Sequence, residues 1–126
     1  MNREVVSTAA APAAIGTYSQ AIKTGLVVFL SGQIGINPAT QELVSEDFEA
    51  QVRQAFINLA AVARAAGGTL ANAVKLCLFL TDLAHFAKVN EIMAELLPSP
   101  FPARSTVGVT SLPRGAKFEV DAILVL

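Results

Sequence analysis

Arg104 and Glu119 are the two side chains whose type and position point most directly to chemistry. Arg104 follows Pro100 and Pro102, which hold the chain extended and so aim the guanidinium. A guanidinium binds flat anions, such as a carboxylate or a phosphate, through two parallel hydrogen bonds. We therefore interpret Arg104 as a candidate anion-binding residue, while its spacing also allows an edge-strand arginine in a structural salt bridge.

Glu119 begins the last predicted strand, immediately before that strand becomes fully apolar. A carboxyl group at the rim of a dry cleft has a protonation state that its surroundings can tune. Glu119 is thus a candidate for proton chemistry next to a bound anion. The other interpretation is a solvated residue at the strand end near Lys117.

Four further polar side chains and one glycine complete the candidate set: Tyr18, Ser31, Gly32, Asn90 and Thr106. Strand alternation puts Thr106 on the same face as Arg104. Asn90 lies near the apolar stripe of a predicted helix, where its amide needs a partner and either caps a turn or binds a ligand. Gly32 closes a predicted strand, where it either lets a ligand approach the backbone or forms a turn.

Other chemistries find little support in the residue types. Cys77 is the only cysteine, and its position in an apolar strand pattern favours a buried small hydrophobic residue over a nucleophile. His85 is the only histidine, so neither a Ser-His-Asp arrangement nor a His-rich metal site can form within one chain. Gly32 and Gly35 match no Walker or dinucleotide-binding pattern. We expect neither a metal nor an organic cofactor.

The composition predicts one soluble domain, residues 1–126, that assembles with further copies. The chain is 53% hydrophobic and 15% charged, with a mean hydropathy of +0.54, and one small globule does not hide that many apolar side chains. Its apolar runs are far shorter than the ~18 residues of a membrane helix. A net charge of −1 with scattered basic residues argues against nucleic acid binding. Without the apolar stretch of a secretory signal, we expect a cytoplasmic protein.

Two helices are predicted from apolar spacing. The first covers residues 47–66, with Ser45 as its candidate cap and Gly67-Gly68 as its end. Its apolar stripe consists of Phe48, Val52, Phe56, Leu59, Val62 and Ala63. The second covers residues 83–97 and ends at Pro98. Its stripe consists of Phe86, Val89, Met93, Leu96 and Leu97. Both helices are expected to pack one face against a sheet.

Four strands are predicted over residues 27–32, 74–80, 104–109 and 118–126, with shorter ones around Val5 and over residues 18–22. The last strand is apolar on both faces, because Ile123 and Val125 alternate with Phe118, Val120 and the later even-numbered residues. With helices on one face, a neighbouring subunit is the simplest cover for the other. The link over residues 34–46 is long enough to be a flexible surface loop.

Residues 13–21, 31–34, 89–90 and 101–105 together resemble the Rid family of reactive imine/enamine deaminases, also called YjgF-like proteins, and in particular its RidA-type members. The most specific part is Pro102-Ala103-Arg104-Ser105, followed by the strand pattern of Lys117, Glu119, Asp121 and Ala122. The resemblance covers nearly the whole chain. It implies an α+β, chorismate-mutase-like fold with a mixed sheet and two helices on one face. It also implies a homotrimer whose sheets form a central barrel, with ligand clefts between subunits.

The resemblance further implies a 2-iminobutanoate/2-iminopropanoate deaminase, which hydrolyses reactive imines to 2-oxo acids and ammonia. Arg104 would bind the substrate carboxylate, and Glu119 would order or polarise the attacking water. Tyr18, Ser31, Gly32, Asn90 and Thr106 would line the cleft. The alternatives are a deaminase of a different, pathway-specific enamine, such as an aminomuconate-type compound, and a non-catalytic, 2-oxo-acid-binding or chaperone-like trimer.

Two residues depart from the usual family pattern. Thr17 stands where members often have proline, so the turn that presents Tyr18 loses a ring that fixes φ. Thr106 stands where many have cysteine, and a threonine hydroxyl has neither the nucleophilicity nor the redox behaviour of a thiolate. Covalent thiol catalysis at this position is therefore excluded, whereas hydrolysis by a bound water is not.

Overall fold

The computed structural model describes residues 2–126 and confirms an α+β fold with a mixed sheet and two α-helices. The strands are β1 (Glu4–Val6), β2 (Ala21–Thr24), β3 (Val27–Gln33), β4 (Ile36–Asn37), β5 (Glu42–Leu43), β6 (Ala73–Leu80), β7 (Ala103–Gly108) and β8 (Phe118–Val125). The main sheet has the order β1-β2-β3-β8-β6-β7, and only the β6–β7 pair is parallel. None of the helices within these residues is long and apolar enough to cross a bilayer.

Helix α1 (Phe48–Ala65) supplies one layer of the core. All six residues of its predicted stripe are buried, and the helix packs against β3 and β8. The sheet meets it with the even-numbered residues of β6 and β8, such as Leu76, Leu78 and Val120. Buried and less buried residues alternate along both strands, because successive side chains of a strand point to opposite faces of the sheet.

The predicted C-terminal end of α1 is correct, whereas its predicted N-terminal cap is wrong. Gly67, at a φ of 96°, ends the helix, and Gly68 donates its N–H to the Ala63 carbonyl over 3.0 Å. Ser45 is not the cap. The cap is Asp47, whose Oδ2 accepts the Ala50 N–H at 2.9 Å, because this residue directly precedes the first helical turn.

Helix α2 (Phe86–Leu96) follows a 3₁₀ turn at Leu83–His85. Its buried stripe is narrower than predicted: Val89, Ile92, Met93 and the following Leu97 are buried, whereas Phe86 and Leu96 are more than a third exposed. The predicted stripe does not include Ile92. Helix α2 packs against α1, and the residues of α2 that face α1 are the ones that become buried.

One face of the sheet has no covering layer among residues 2–126. Phe29, Val107 and Val125 lie on it, each more than 40% exposed. Cys77 also lies on this open face, half-buried and opposite Asp121, so its assignment to the core was wrong. The strand period explains the error, since Leu76 and Leu78 take the core-facing positions on either side.

Two connecting segments differ from prediction. Residues 34–46 are not an irregular loop, because β4 and β5 pair as a short hairpin. The buried Asn58 amide holds it by donating to the carbonyls of Ile34 (3.2 Å) and Ile36 (2.8 Å). The strand expected over residues 18–22 begins only at Ala21, so Tyr18 lies in the preceding segment.

Candidate active site

Glu119 lies against a β-bulge in β3. The register between β3 and β8 shifts between Leu30 and Gln33, so that Ser31 and Gly32 face the single residue Asp121. A Cβ atom built on Gly32 would lie 2.8 Å from Glu119 Cδ. The turn interpretation of Gly32 is therefore wrong, because it lies inside a strand, where its missing side chain makes room for the Glu119 carboxyl group.

Ser31 connects the bulge to the segment that carries Tyr18. Its Oγ donates to the Ser19 carbonyl at 2.6 Å, and its N–H donates to the Gln20 carbonyl at 3.0 Å. The buried Gln20 amide in turn accepts the Thr8 N–H at 2.7 Å and donates to the Pro12 carbonyl at 2.7 Å. These contacts fix the backbone on both sides of Tyr18, although Thr17 lacks the ring of a proline.

Tyr18 and Glu119 line one cavity of about 310 Å³, which we call the carboxyl cleft. Its polar side chains are those of Tyr18, Gln20, Gln33, Gln41, Arg114 and Glu119, and Gly32, isoleucine and proline residues form most of the remaining wall. The sequence analysis did not identify Gln20, Gln33, Gln41 or Arg114 as site residues. Pro113 and Gly115 beside Arg114 are typical turn residues, but the spacing of residues along the sequence does not show that this turn lies next to the cavity that Glu119 lines.

The environment of Glu119 favours its protonated form. Burial raises the pKa of this carboxyl group above its ordinary value, and the negative charge of Asp121 raises it further. Lys117 does not compensate, because its Nζ donates to the Glu46 carbonyl and forms no salt bridge with Glu119. The solvated strand-end interpretation is thus wrong, and the raised pKa lets this carboxyl group hold its proton to a higher pH than an exposed glutamate does.

Arg104 lies in a second cavity, which we call the arginine cleft, lined by Asn90, Met93, Ala94, Phe101, Pro102 and Arg104. Its Nη1 donates to Asn90 Oδ1 at 2.6 Å, and its guanidinium lies 5.0 Å from the centre of the Phe86 ring. No salt bridge within residues 2–126 includes Arg104. The structural salt-bridge interpretation is therefore wrong, and the cation is held by neutral groups that leave its charge unbalanced.

Asn90 contacts Arg104 directly, whereas Thr106 lies on the same strand face as Arg104. Asn90 is exposed on α2, and its amide oxygen orients the guanidinium rather than capping a turn. Thr106 faces the same side of β7 as Arg104, and its Oγ1 is buried without a hydrogen-bond partner among residues 2–126. A buried hydroxyl without a partner is costly, so this position favours an additional polar contact.

One chain does not bring Arg104 and Glu119 together. Arg104 pairs with core-facing Leu76, which puts it on the helix side of the sheet, whereas Glu119 pairs with Phe79 on the open face. Each cleft thus offers half of a hydrolytic site: one binds an anion, and the other exchanges a proton. Within the described part of the chain, no group of three or more histidine, cysteine, aspartate or glutamate residues could hold a metal ion.

Comparison with known proteins gives consistent matches over the whole chain. The family model described as Endoribonuclease L-PSP matches residues 8–126. A 2-iminobutanoate/2-iminopropanoate deaminase from Dermatophagoides farinae is 44% identical, covering 98% of this chain and 97% of its own. The chloroplastic Reactive Intermediate Deaminase A of Arabidopsis thaliana is 48% identical over 100% of this chain and 67% of its own. The crystal structure of RidA from an Antarctic Psychrobacter superimposes with a TM-score of 0.96 at 48% identity, covering 98% and 100% of the two chains.

Proposed function

We infer the function from the family to which this chain belongs, the Rid family, which is the family of the Endoribonuclease L-PSP model. The chain is a 2-iminobutanoate/2-iminopropanoate deaminase. The observation that carries the proposal is Arg104, whose guanidinium is aimed by Asn90 and has no carboxylate partner within residues 2–126. Such a cation binds the carboxylate that every 2-imino acid carries. The reaction makes the protein a hydrolase.

The reaction needs little beyond orientation and one proton-exchanging group. The protonated imine is electrophilic at the carbon next to its carboxylate. Water adds to that carbon while the Glu119 carboxylate accepts one of its protons, which gives a carbinolamine. The same carboxyl group returns the proton to the nitrogen. As the C–N bond breaks and ammonia leaves, the Glu119 carboxylate accepts the proton of the hydroxyl group, which becomes the carbonyl of the 2-oxo acid. The Tyr18 phenol lies in the same cleft and can donate a hydrogen bond to the developing hydroxyl group.

The complete site forms between copies of the chain. Because Arg104 and Glu119 face opposite sides of one sheet, the arginine cleft of one protomer must meet the carboxyl cleft of another to hold one small molecule. The exposed apolar side chains of the open face support this assembly, since they need cover. Three copies with their open faces inward form the central barrel of a homotrimer.

The other site residues support these two groups. Gly32 gives Glu119 its space, and Ser31 holds the segment that presents Tyr18. Thr106 offers its unpaired hydroxyl to the carboxylate next to Arg104. The charge of the chain gives less support to RNA cleavage, because a net charge of −1 and a pI of about 5.7 do not attract a phosphate backbone.

The test is the lifetime of an imine in the presence of the purified protein. A threonine dehydratase generates 2-iminobutanoate in situ, and ammonia release is followed against the spontaneous rate. We expect release to accelerate in proportion to the protein added, whereas heat-denatured protein has no effect. A rate equal to the spontaneous one, with 2-oxobutanoate still bound by the protein, would favour the non-catalytic alternative.

A further inference from the structure

Arg114 is a second guanidinium beside the proposed reaction site. It lines the carboxyl cleft together with Glu119 and Tyr18, whereas Arg104 lies in the arginine cleft. It lies in the turn that precedes β8, only a few residues before Glu119. The proposed reaction on a short imino acid gives it no role, because Arg104 already binds the one carboxylate present.

The backbone holds Arg114 in a conformation that side chains rarely adopt. Its φ and ψ are 62° and 16°, in the left-handed region. Gln41, the other non-glycine residue within residues 2–126 with a positive φ, also has a φ of 62° and also lines the carboxyl cleft. Arg114 Nη1 donates to the Gln41 carbonyl at 3.0 Å, so the two support each other. Such conformations cluster at ligand sites, where the surrounding structure maintains them.

Arg114 has no anionic partner in the described part of the chain. The salt bridges there are formed by Arg53 and Lys88 with glutamates of α1 and α2, and none includes Arg114. Its contact with Gln41 uses one of the five N–H donors of a guanidinium. The remaining donors and the positive charge are therefore available to a ligand.

The cavity is larger than a short imino acid requires. A volume of about 310 Å³ equals roughly ten water molecules at ≈30 Å³ each. A methyl or ethyl side chain fills little of this volume, so a longer side chain on an imine carbon at Glu119 has room to extend along the cavity that Arg114 lines. Ile15, Ile34 and Ile36 form an apolar wall of this cavity, so the guanidinium is the main charged group that a longer side chain would meet.

We propose that Arg114 recognises a second anionic group on the substrate, so that the carboxyl cleft also takes 2-imino acids whose side chain ends in a carboxylate. This inference rests on the proposed deaminase function and names a further substrate class for the same site. The upstream reaction is then one that oxidises, or eliminates from, an acidic amino acid and releases its imine. Arg114 acts in specificity and takes no part in the proton transfers.

The test compares 2-iminosuccinate with 2-iminopentanoate, which are similar in length but differ in the terminal charge. Amino-acid oxidases acting on aspartate and norvaline generate the two imines in situ, and ammonia release above the uncatalysed rate gives kcat/KM for each. We expect Arg114→Gln to lower the ratio of the two kcat/KM values, 2-iminosuccinate over 2-iminopentanoate, by about tenfold or more, the effect of losing one charge-assisted hydrogen bond. The matched control is Arg64→Gln, an exposed arginine at the end of α1, which should keep the wild-type ratio.

Each result decides the matter. A ratio that stays at the wild-type value in Arg114→Gln overturns the inference, as does an equal loss on both imines. If Arg114→Gln does not fold, Arg114→Lys takes its place, and its ratio should fall below that of the wild type because a lysine cannot form the bidentate pair. Wild-type protein that accelerates neither imine contradicts the proposed function itself, whereas acceleration of 2-iminopentanoate with an unresponsive ratio contradicts the role of Arg114 alone.

Discussion

Arg104 and Glu119 lie two strands apart in one sheet and on opposite faces of it. The strand between β7 and β8 is β6, in which Leu76 pairs with Arg104 and Phe79 pairs with Glu119. Because neighbours along a strand point to opposite faces, this register sends the guanidinium to the helix side and the carboxyl group to the open side. A molecule of a few atoms cannot contact both in one chain.

Activity should therefore depend on assembly through the open face. Phe29, which lies on that face outside both clefts, is 48% exposed in the single chain. Phe29→Glu puts a charge where a partner would bury it, at a cost of several kcal/mol. We expect the variant to sediment as a monomer and to lose most of its imine hydrolysis.

The matched control for this prediction is Ile57→Glu. Ile57 is 56% exposed on α1, on the opposite side of the molecule from the open face, so this change should preserve both assembly and activity. A Phe29→Glu protein that is monomeric by analytical ultracentrifugation and still fully active would show that one chain contains the whole site.

Arg104→Ala should lower kcat/KM for 2-iminobutanoate. Removing a charge-assisted bidentate contact costs on the order of 2 to 4 kcal/mol of transition-state binding. Arg104→Lys retains the charge without the fork and should give an intermediate value. Steady-state rates of ammonia release measure both variants, with Arg64→Ala as the control arginine. Wild-type turnover in Arg104→Ala would remove the carboxylate-binding role from this residue.

Asn90→Asp should weaken substrate binding while it leaves the guanidinium in place. Asn90 Oδ1 lies 2.6 Å from Arg104 Nη1, so an aspartate there forms the ion pair that the native site lacks. This internal carboxylate competes with the carboxylate of the substrate, and we expect KM to rise by about tenfold, the effect of one charge-assisted contact. Asn90→Ala, which removes the contact without adding a charge, should raise KM less. An unchanged KM in Asn90→Asp would mean that the substrate does not bind at Arg104.

The sequence predicts those parts of the fold that depend on local periodicity. Helix α1 and the alternation of β6 and β8 follow from the spacing of residues such as Val52, Phe56 and Leu78, because burial repeats with the period of each element. Features that depend on distant partners escape this reasoning. The hairpin of residues 36–43 is held by Asn58 from α1, and the position of Tyr18 depends on Gln20 and its contacts with the N-terminal segment.

In the site, too, the sequence predicts what depends on local pattern and does not predict what depends on distant partners. The types of Arg104 and Glu119 indicate their chemistry, and alternation gives the face of each within its own strand. Their relative position depends on the register of both strands against β6, which no local pattern encodes. The sequence does not identify Arg114 as a site residue for the same reason. Arg114 and Gln41 are far apart in the sequence, and only the folded chain brings them into contact.

Glu119→Gln should lower kcat more than it weakens binding of the product. The amide keeps the size of the side chain but can neither accept a proton from water nor return it to the nitrogen. Loss of general acid–base catalysis costs typically 10²–10⁴-fold in rate. Single-turnover rates and calorimetric titration with 2-oxobutanoate separate the two effects. Equal losses in turnover and binding would assign Glu119 to substrate binding instead.

The same substitution should change the pH dependence of stability. Burial raises the pKa of Glu119 above its ordinary value of 4.5, so the folded state holds this proton more tightly than the unfolded state. The stabilising contribution is fully present below the unfolded pKa and is lost as the pH rises through the folded pKa. Glu119→Gln cannot ionise, so its Tm should exceed that of the wild type at pH 7 to 8, and the difference should shrink towards pH 4.

Thermal unfolding across this pH range measures the effect. The control is Glu46→Gln, an exposed glutamate before α1, which should show no such trend. The difference between the two Tm curves must stop changing at low pH, because the wild-type carboxyl group is then neutral in both the folded and the unfolded states. A constant offset between Glu119→Gln and the wild type at every pH would reflect a packing change alone, and the raised pKa would then contribute nothing to stability.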